Sequence, residues 1–240
     1  MGAKKISKKK EQDNKESKTK EKVKNKDKKT ISLSDFDLFV FDWDGTLTGL
    51  KIIRTLDQKY GPYWLYKRMK YRKDHKKIDV DSESESKREL KERIMSVFAD
   101  FYLTLFKPKL HNDVKLLLST LRARGKKVAL FTNATEWRIN KELDLFGIRN
   151  MFDIVLSAQK IKVIKPDPTG LNIIIRKMRI RKDKVLYIGD MVDDITMAKT
   201  AGVASCALGN GFDKESVLKR ENPDFYFEGV EELLEAIRSG

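Results

Sequence analysis

Two carboxylates stand one residue apart at Asp42 and Asp44, followed directly by Gly45 and Thr46. Three more polar groups recur downstream: the hydroxyl and amide of Thr132-Asn133, the lysine of Lys165-Pro166-Asp167-Pro168, and Gly189-Asp190 with Asp193 and Asp194 close behind. Carboxylates brought from two places in a chain can hold Mg²⁺, a hard ion that takes oxygen ligands and keeps several waters. Such an ion offsets the repulsion between an acidic nucleophile and a phosphate dianion. A hydroxyl and a lysine can donate hydrogen bonds and charge to phosphoryl oxygens as charge spreads over them in the transition state. A second carboxylate beside the nucleophile can give a proton to a leaving oxygen and later take one from water. The set is coherent as a site for phosphoryl transfer.

That chemistry needs elements that bring the groups to one edge. The acidic pair follows residues 38–41, Leu-Phe-Val-Phe, an apolar run long enough for one buried strand and too short for a helix. Similar runs fall at residues 128–131, 152–156, 185–188, 203–208 and 225–227. Between them lie segments of helical period. Val114, Leu117, Leu118 and Leu121 lead to a stop near Gly125, and Ile139, Leu143 and Phe146 lead to Gly147. Another opens with Asp167 as N-cap and Pro168 at the first helical position, then runs through Leu171, Ile174, Ile175 and Met178. Two more cover residues 191–202 and 230–237. Strands and helices alternating at these lengths predict an α/β fold, a doubly wound, Rossmann-like parallel sheet covered on both faces. In such a sheet ligands bind outside the carboxyl ends of the strands, where the polar groups stand.

One stretch breaks the alternation. Residues 49–107 contain no convincing buried strand but two helical patterns, the second with Leu90, Ile94, Val97, Phe98, Phe101 and Leu105 on one face and a capping box at Ser86 and Glu89. The expected organisation is a disordered Lys-rich tail over residues 1–30, a core formed by 31–48 and 108–240, and a small helical insertion over 49–107.

The strings FDWDGTL at 41–47, LFTN at 130–133, KPDP at 165–168 and GDMVDD at 189–194 together resemble the haloacid dehalogenase-like hydrolase superfamily, in that family's order. The likeness covers about residues 36–238, and the insertion after the first motif resembles the C1 cap of phosphoglycolate-phosphatase-like members. The resemblance implies a nucleophilic Asp42 that forms an aspartyl-phosphate and an Asp44 that serves as general acid and base. It implies phosphate binding by Thr132, by Asn133 through its backbone, and by Lys165. It also implies Mg²⁺ on the Asp42 carboxylate, the Asp44 carbonyl and Asp190, with Asp194 in support and a lesser role for Asp193. An acid at position 44 speaks against the dehalogenase branch. The implied substrate is a small organic phosphomonoester, phosphoglycolate-like or a nucleotide. The rivals are a nucleic-acid end phosphatase, a sugar phosphomutase, and a non-catalytic RNA-associated scaffold of the same fold.

Composition narrows the class. The 240 residues carry a net charge of +15, which alone suggests a polyanion binder. Residues 1–30 and residues 51–77 each contribute +8, leaving the rest of the chain at −1. The body is thus near neutral, and weak polyanion contact falls to the tail and the insertion. The basic strip at residues 67–77, beside Tyr63, Trp64, Tyr66 and Tyr71, reads as a solvated helix face, a nucleic-acid contact or a selector of anionic substrates. One cysteine, Cys206, excludes an intramolecular disulfide framework and reads as core. His75 and His111, the only histidines, make a histidine-ligated metal centre a poor expectation and are read as surface residues. Asp190 is expected both to cap a helix and to bind metal, Trp43 either only to fill space behind the acidic loop or also to reach phosphate through its backbone N–H, and Asn210 to turn the chain near the active edge. No apolar run is long enough to span a membrane and no secretory signal is apparent, so a cytoplasmic protein without membrane contact is expected.

Overall fold

The computed structural model describes residues 31–49, 108–134 and 136–240. The Lys-rich tail, the basic strip at 67–77, His75 and almost all of the expected insertion lie outside the described residues.

The described strands are β1 (Leu38–Phe41), β2 (Thr48–Gly49), β3 (Lys109–Leu110), β4 (Lys127–Thr132), β5 (Ile154–Ser157), β6 (Val185–Gly189), β7 (Ala204–Leu208) and β8 (Phe225–Phe227). The helices are α1 (Val114–Ala123), α2 (Glu136–Phe146), α3 (Ala158–Ile161), α4 (Thr169–Met178), α5 (Val192–Ala201), α6 (Glu215–Arg220) and α7 (Val230–Ser239). Six strands form one sheet in the order β5-β4-β1-β6-β7-β8, and each neighbouring pair is parallel. The chain moves outward from β1 through β4 to β5, then crosses to β6 on the other side of β1 and moves outward again. The doubly wound sheet read from the sequence is therefore the observed one, and its switch point lies between β1 and β6.

The apolar runs are continuous because both faces are covered. Phe39 and Phe41 point into one core layer with Val114, Leu117 and Leu121 of α1, Leu143 of α2 and Leu233 of α7. Leu38 and Val40 point into the other, against Leu171 and Ile174 of α4 and Met197 and Ala198 of α5. Cys206 belongs to the first layer, and burial pushes its thiol far above the ordinary range, as expected of a core residue. Among the described residues no helix is long and apolar enough to cross a membrane.

Two local differences from the sequence reading matter. β2 and β3 form an antiparallel pair, with Thr48 opposite Leu110 and Gly49 opposite Lys109. The chain thus departs after Gly49 and returns beside it. A two-residue strand carries no hydropathy period, which is why the sequence did not reveal it. The helix expected from Pro168 begins at Thr169 with Pro168 itself as N-cap, and Asp167, expected at the cap, stands one residue further out, its Oδ1 accepting from the Thr169 N–H at 2.8 Å.

Candidate active site

Because β1 and β6 are neighbours, Asp42 and Asp190, the residues that follow them, emerge side by side at the switch point. One oxygen each from Asp42, Asp190 and Asp194 lies within 4.8 Å of the others, and all three residues are buried. Lys165 enters from the loop ahead of α4. Its ammonium makes an ion pair with Asp42 Oδ1 and another, at 2.8 Å, with Asp194 Oδ1. The Tyr187 hydroxyl donates to the same Asp194 oxygen at 3.0 Å. Asp194 Oδ2 accepts from the backbone N–H of Asp190 at 3.2 Å and of Met191 at 3.1 Å. Asp194 is thus engaged at both oxygens.

This corrects the expectation that Asp190 caps the helix. The carboxylate that reaches back to the start of α5 is Asp194; Asp190 turns the other way. Its Oδ1 accepts from the Thr46 hydroxyl at 2.6 Å and its Oδ2 from the Phe212 N–H at 2.7 Å. Two glycines allow this. Gly45 has φ +86° in the turn after the acidic pair, and a Cβ there or at Gly211 would overlap the Asp190 carboxylate. Asn210, beside Gly211, accordingly lies in a turn near the active edge.

Thr132 closes β4, buried, with its Oγ1 accepting from the Ala134 N–H at 3.0 Å. Exposed Asn133 accepts the Lys165 backbone N–H at 3.2 Å through its Oδ1, so the second and third motifs are tied together. Asp193 sits half-buried in the first turn of α5, outside the acidic cluster. Asp44 also stands apart from that cluster: its Oδ2 is paired with Arg138, while its Oδ1 is buried with no hydrogen-bond partner among the described residues.

Four contacts escaped the sequence reading. Arg138 of α2 holds Asp44 and also lies 3.5 Å from Glu142 Oε1, one turn further along. Fully buried Glu142 accepts the indole N–H of Trp43, so Trp43 anchors the acidic loop as well as filling space. Arginine and glutamate at i and i+4 usually signify a solvated helix pair, and only the buried neighbour distinguishes this one. His111, expected at the surface, is half-buried, its Nε2 bonded to the Gly45 carbonyl at 3.2 Å, and burial lowers its pKa.

The electrostatics of the centre follow from crowding. Burial raises the Asp42 carboxyl to about 7; Lys165 opposes this and Asp194 adds to it. Asp190 is pushed well above the ordinary carboxylate range, by burial first and then by Asp42 and Asp194. Burial alone would lower the Lys165 ammonium, but Asp194 and Asp42 outweigh it and hold it above its usual value. Among the described residues, three buried carboxylates face a single buried ammonium. An all-oxygen donor set with excess negative charge fits a hard divalent cation, which would reverse the upward shifts.

The doubly wound sheet, with an acid cluster at its switch point, a strand-end hydroxyl and a buried lysine, defines the chain as an α/β protein of the open parallel-sheet class. The family model for haloacid dehalogenase-like hydrolases matches residues 39–208, and the chain belongs to that family. Among curated relatives it is similar to a phosphoglycolate phosphatase of Vibrio parahaemolyticus, 31% identical over 156 residues, which span 64% of this chain and 68% of the relative. A phosphoglycolate phosphatase of Haemophilus influenzae is 32% identical over 126 residues, 52% of this chain and 56% of the relative. The crystal structure of a predicted phosphoglycolate phosphatase from Haemophilus somnus superposes with a TM-score of 0.62 at 24% identity, over 84% of this chain and 97% of that one, and bears on the fold alone.

Proposed function

We propose that this chain is a Mg²⁺-dependent phosphatase that hydrolyses a small organic phosphomonoester through an aspartyl-phosphate on Asp42. It acts as a hydrolase of phosphomonoesters, and the phosphoglycolate phosphatases among its relatives favour a small phosphate of that kind. The observation that carries the reading is the position of Lys165, whose buried ammonium joins Asp42 to Asp194 at the mouth of the switch point.

In the proposed reaction the Asp42 carboxylate attacks phosphorus while the bond to the leaving oxygen breaks and Asp44 protonates that oxygen. Asp44, now a carboxylate, takes a proton from water, whose oxygen attacks the phosphorus of the acyl phosphate. Inorganic phosphate departs and Asp42 is restored. Lys165 and Thr132 supply charge and a hydroxyl to the phosphoryl oxygens. Asp42, Asp190 and the Asp44 carbonyl would hold Mg²⁺, with Asp194 fixing Lys165 and the turn beneath them. When bound, the ion supplies charge neutralisation between nucleophile and phosphate. The chain leaves the described core at Gly49 and returns at Lys109 through the β2–β3 pair, and the expected cap segment 49–107 falls between these points, almost wholly outside the described residues.

Release of inorganic phosphate from a panel of phosphorylated metabolites, with Mg²⁺ and with chelator, tests the reading. Activity that survives the chelator, or none on any ester, would remove it. Stability gives an independent check. The folded Asp42 carboxyl titrates near 7 against an ordinary 3.8, so in chelator its contribution is full below 3.8 and is lost as pH rises towards about 7. Asp190 shifts the same way. Mg²⁺ should therefore raise the melting temperature at neutral pH and cease to do so in acid, where the carboxyls are protonated. A concentration near 100 times Kd contributes about 2.7 kcal/mol, or roughly 5–10 °C for a chain of this size. Coincident melts at neutral pH would count against a metal site.

A further inference from the structure

The loop that carries Asp42 and Asp44 is gripped by one face of α2. Glu142 accepts the indole N–H of Trp43, the residue between the two aspartates, and Arg138 pairs with Asp44 Oδ2 while lying 3.5 Å from Glu142 Oε1. The contacts close a circuit from Asp44 through Arg138 and Glu142 to Trp43, and so back to the residue preceding Asp44. Trp43 and Glu142 are fully buried, so one end of the circuit cannot drift. At the other end Asp44 Oδ1 is left buried without a hydrogen-bond partner among the described residues.

We infer that Arg138 is a positioning residue for Asp44: the guanidinium, braced by Glu142, occupies Oδ2 and turns Oδ1 towards the oxygen that leaves phosphorus. This rests on the reading of Asp44 as proton donor. As the P–O bond breaks, its electron pair passes to the leaving oxygen, the proton on Oδ1 follows, and the carboxylate so formed is stabilised by the adjacent cation. A planar fork can face two carboxylates at once, whereas a lysine presents one compact charge and cannot hold both in a fixed orientation. A purely structural arginine would need only Glu142, the buried acid whose charge it offsets. Contact with Asp44 is the part that structure alone does not require.

The leaving group separates positioning from packing. p-Nitrophenolate departs without a proton, while an alkoxide requires one. Turnover of p-nitrophenyl phosphate is to be compared with that of an alkyl ester, 2-phosphoglycolate or glycerol phosphate, whichever the wild type cleaves faster. Arg138→Met should lower kcat on the alkyl ester about 10- to 100-fold more than on the aryl ester, the scale of a misaligned general acid. Arg138→Lys should recover only part of that difference. Because Arg138→Met strands buried Glu142, the Arg138→Met/Glu142→Gln double variant is measured beside it and should keep the same alkyl-to-aryl ratio while melting closer to wild type. In an Asp44→Asn background, Arg138→Met should add no further alkyl-specific loss. Equal losses on both esters, tracking melting temperature, would overturn the inference and leave the phosphatase reading standing. A wild type that cleaves no phosphomonoester, these two included, would remove both.

Discussion

Replacing Asp42 with Asn is expected to lower Mg²⁺-dependent phosphate release by at least about 10⁴-fold, the scale on which loss of a covalent nucleophile is felt. Asparagine keeps the shape of the side chain and discards the charge that attacks phosphorus. The fold should not suffer, because burial already raises the Asp42 carboxyl to about 7 and a neutral group there relieves the crowding with Asp194 and Asp190. In chelator the melting temperature of Asp42→Asn should therefore match or exceed that of the wild type. The combination of lost turnover and retained stability distinguishes a chemical role from a packing one. Turnover close to wild type would reject Asp42 as nucleophile.

Lys165→Met has the second largest expected effect and the opposite profile. Lys165 is 4% exposed and stands between Asp42 and Asp194, so its removal leaves two buried carboxylates without their shared cation. Breaking a buried pair from one side costs about 3–5 kcal/mol, or about 10 °C in melting temperature. The sign with pH is fixed. The folded ammonium is held above its ordinary value of 10.5, so its stabilisation is fully present below that value and lost only above it. At neutral pH the whole contribution is at stake, and the deficit of the variant should shrink in acid as the stranded carboxyls protonate. Turnover should fall by about 10²–10³-fold, the loss typical of a donor aimed at developing charge. Wild-type melting and turnover together would contradict the account.

The parts legible in the sequence share a physical reason. Buried parallel strands are short apolar runs, and polar residues that interrupt such runs at their carboxyl ends are conspicuous. Asp42, Thr132 and Asp190 announce both a strand end and a group of chemical use, and the structure brings the Asp42, Asp190, Asp194 and Lys165 set to one switch point. What escaped depends on contacts between distant positions. Arg138 and Glu142 look like an exposed i,i+4 pair until Trp43 and Asp44 arrive from 94 to 99 residues away. Capping by Asp194 in place of Asp190 is decided by which carboxylate the turn aims backward, a matter of a few dihedral angles. His111 reads as a surface residue because its partner is a backbone carbonyl, which leaves no trace in residue type.

The net charge of +15 changes meaning in this light. Its excess belongs to the tail and to the segment after the first motif, while the described core gathers acids where a divalent cation would sit.

The central claim is the covalent intermediate. A single turnover with Mg²⁺ and a cleavable ester, quenched in acid and treated with borohydride, reduces an acyl phosphate to an alcohol, so that peptide mass spectrometry reads the modified side chain directly. The account predicts homoserine at position 42 and at no other aspartate, Asp44, Asp190 and Asp194 included. Phosphate release with position 42 recovered wholly as aspartate, or with the reduced residue elsewhere, would contradict it.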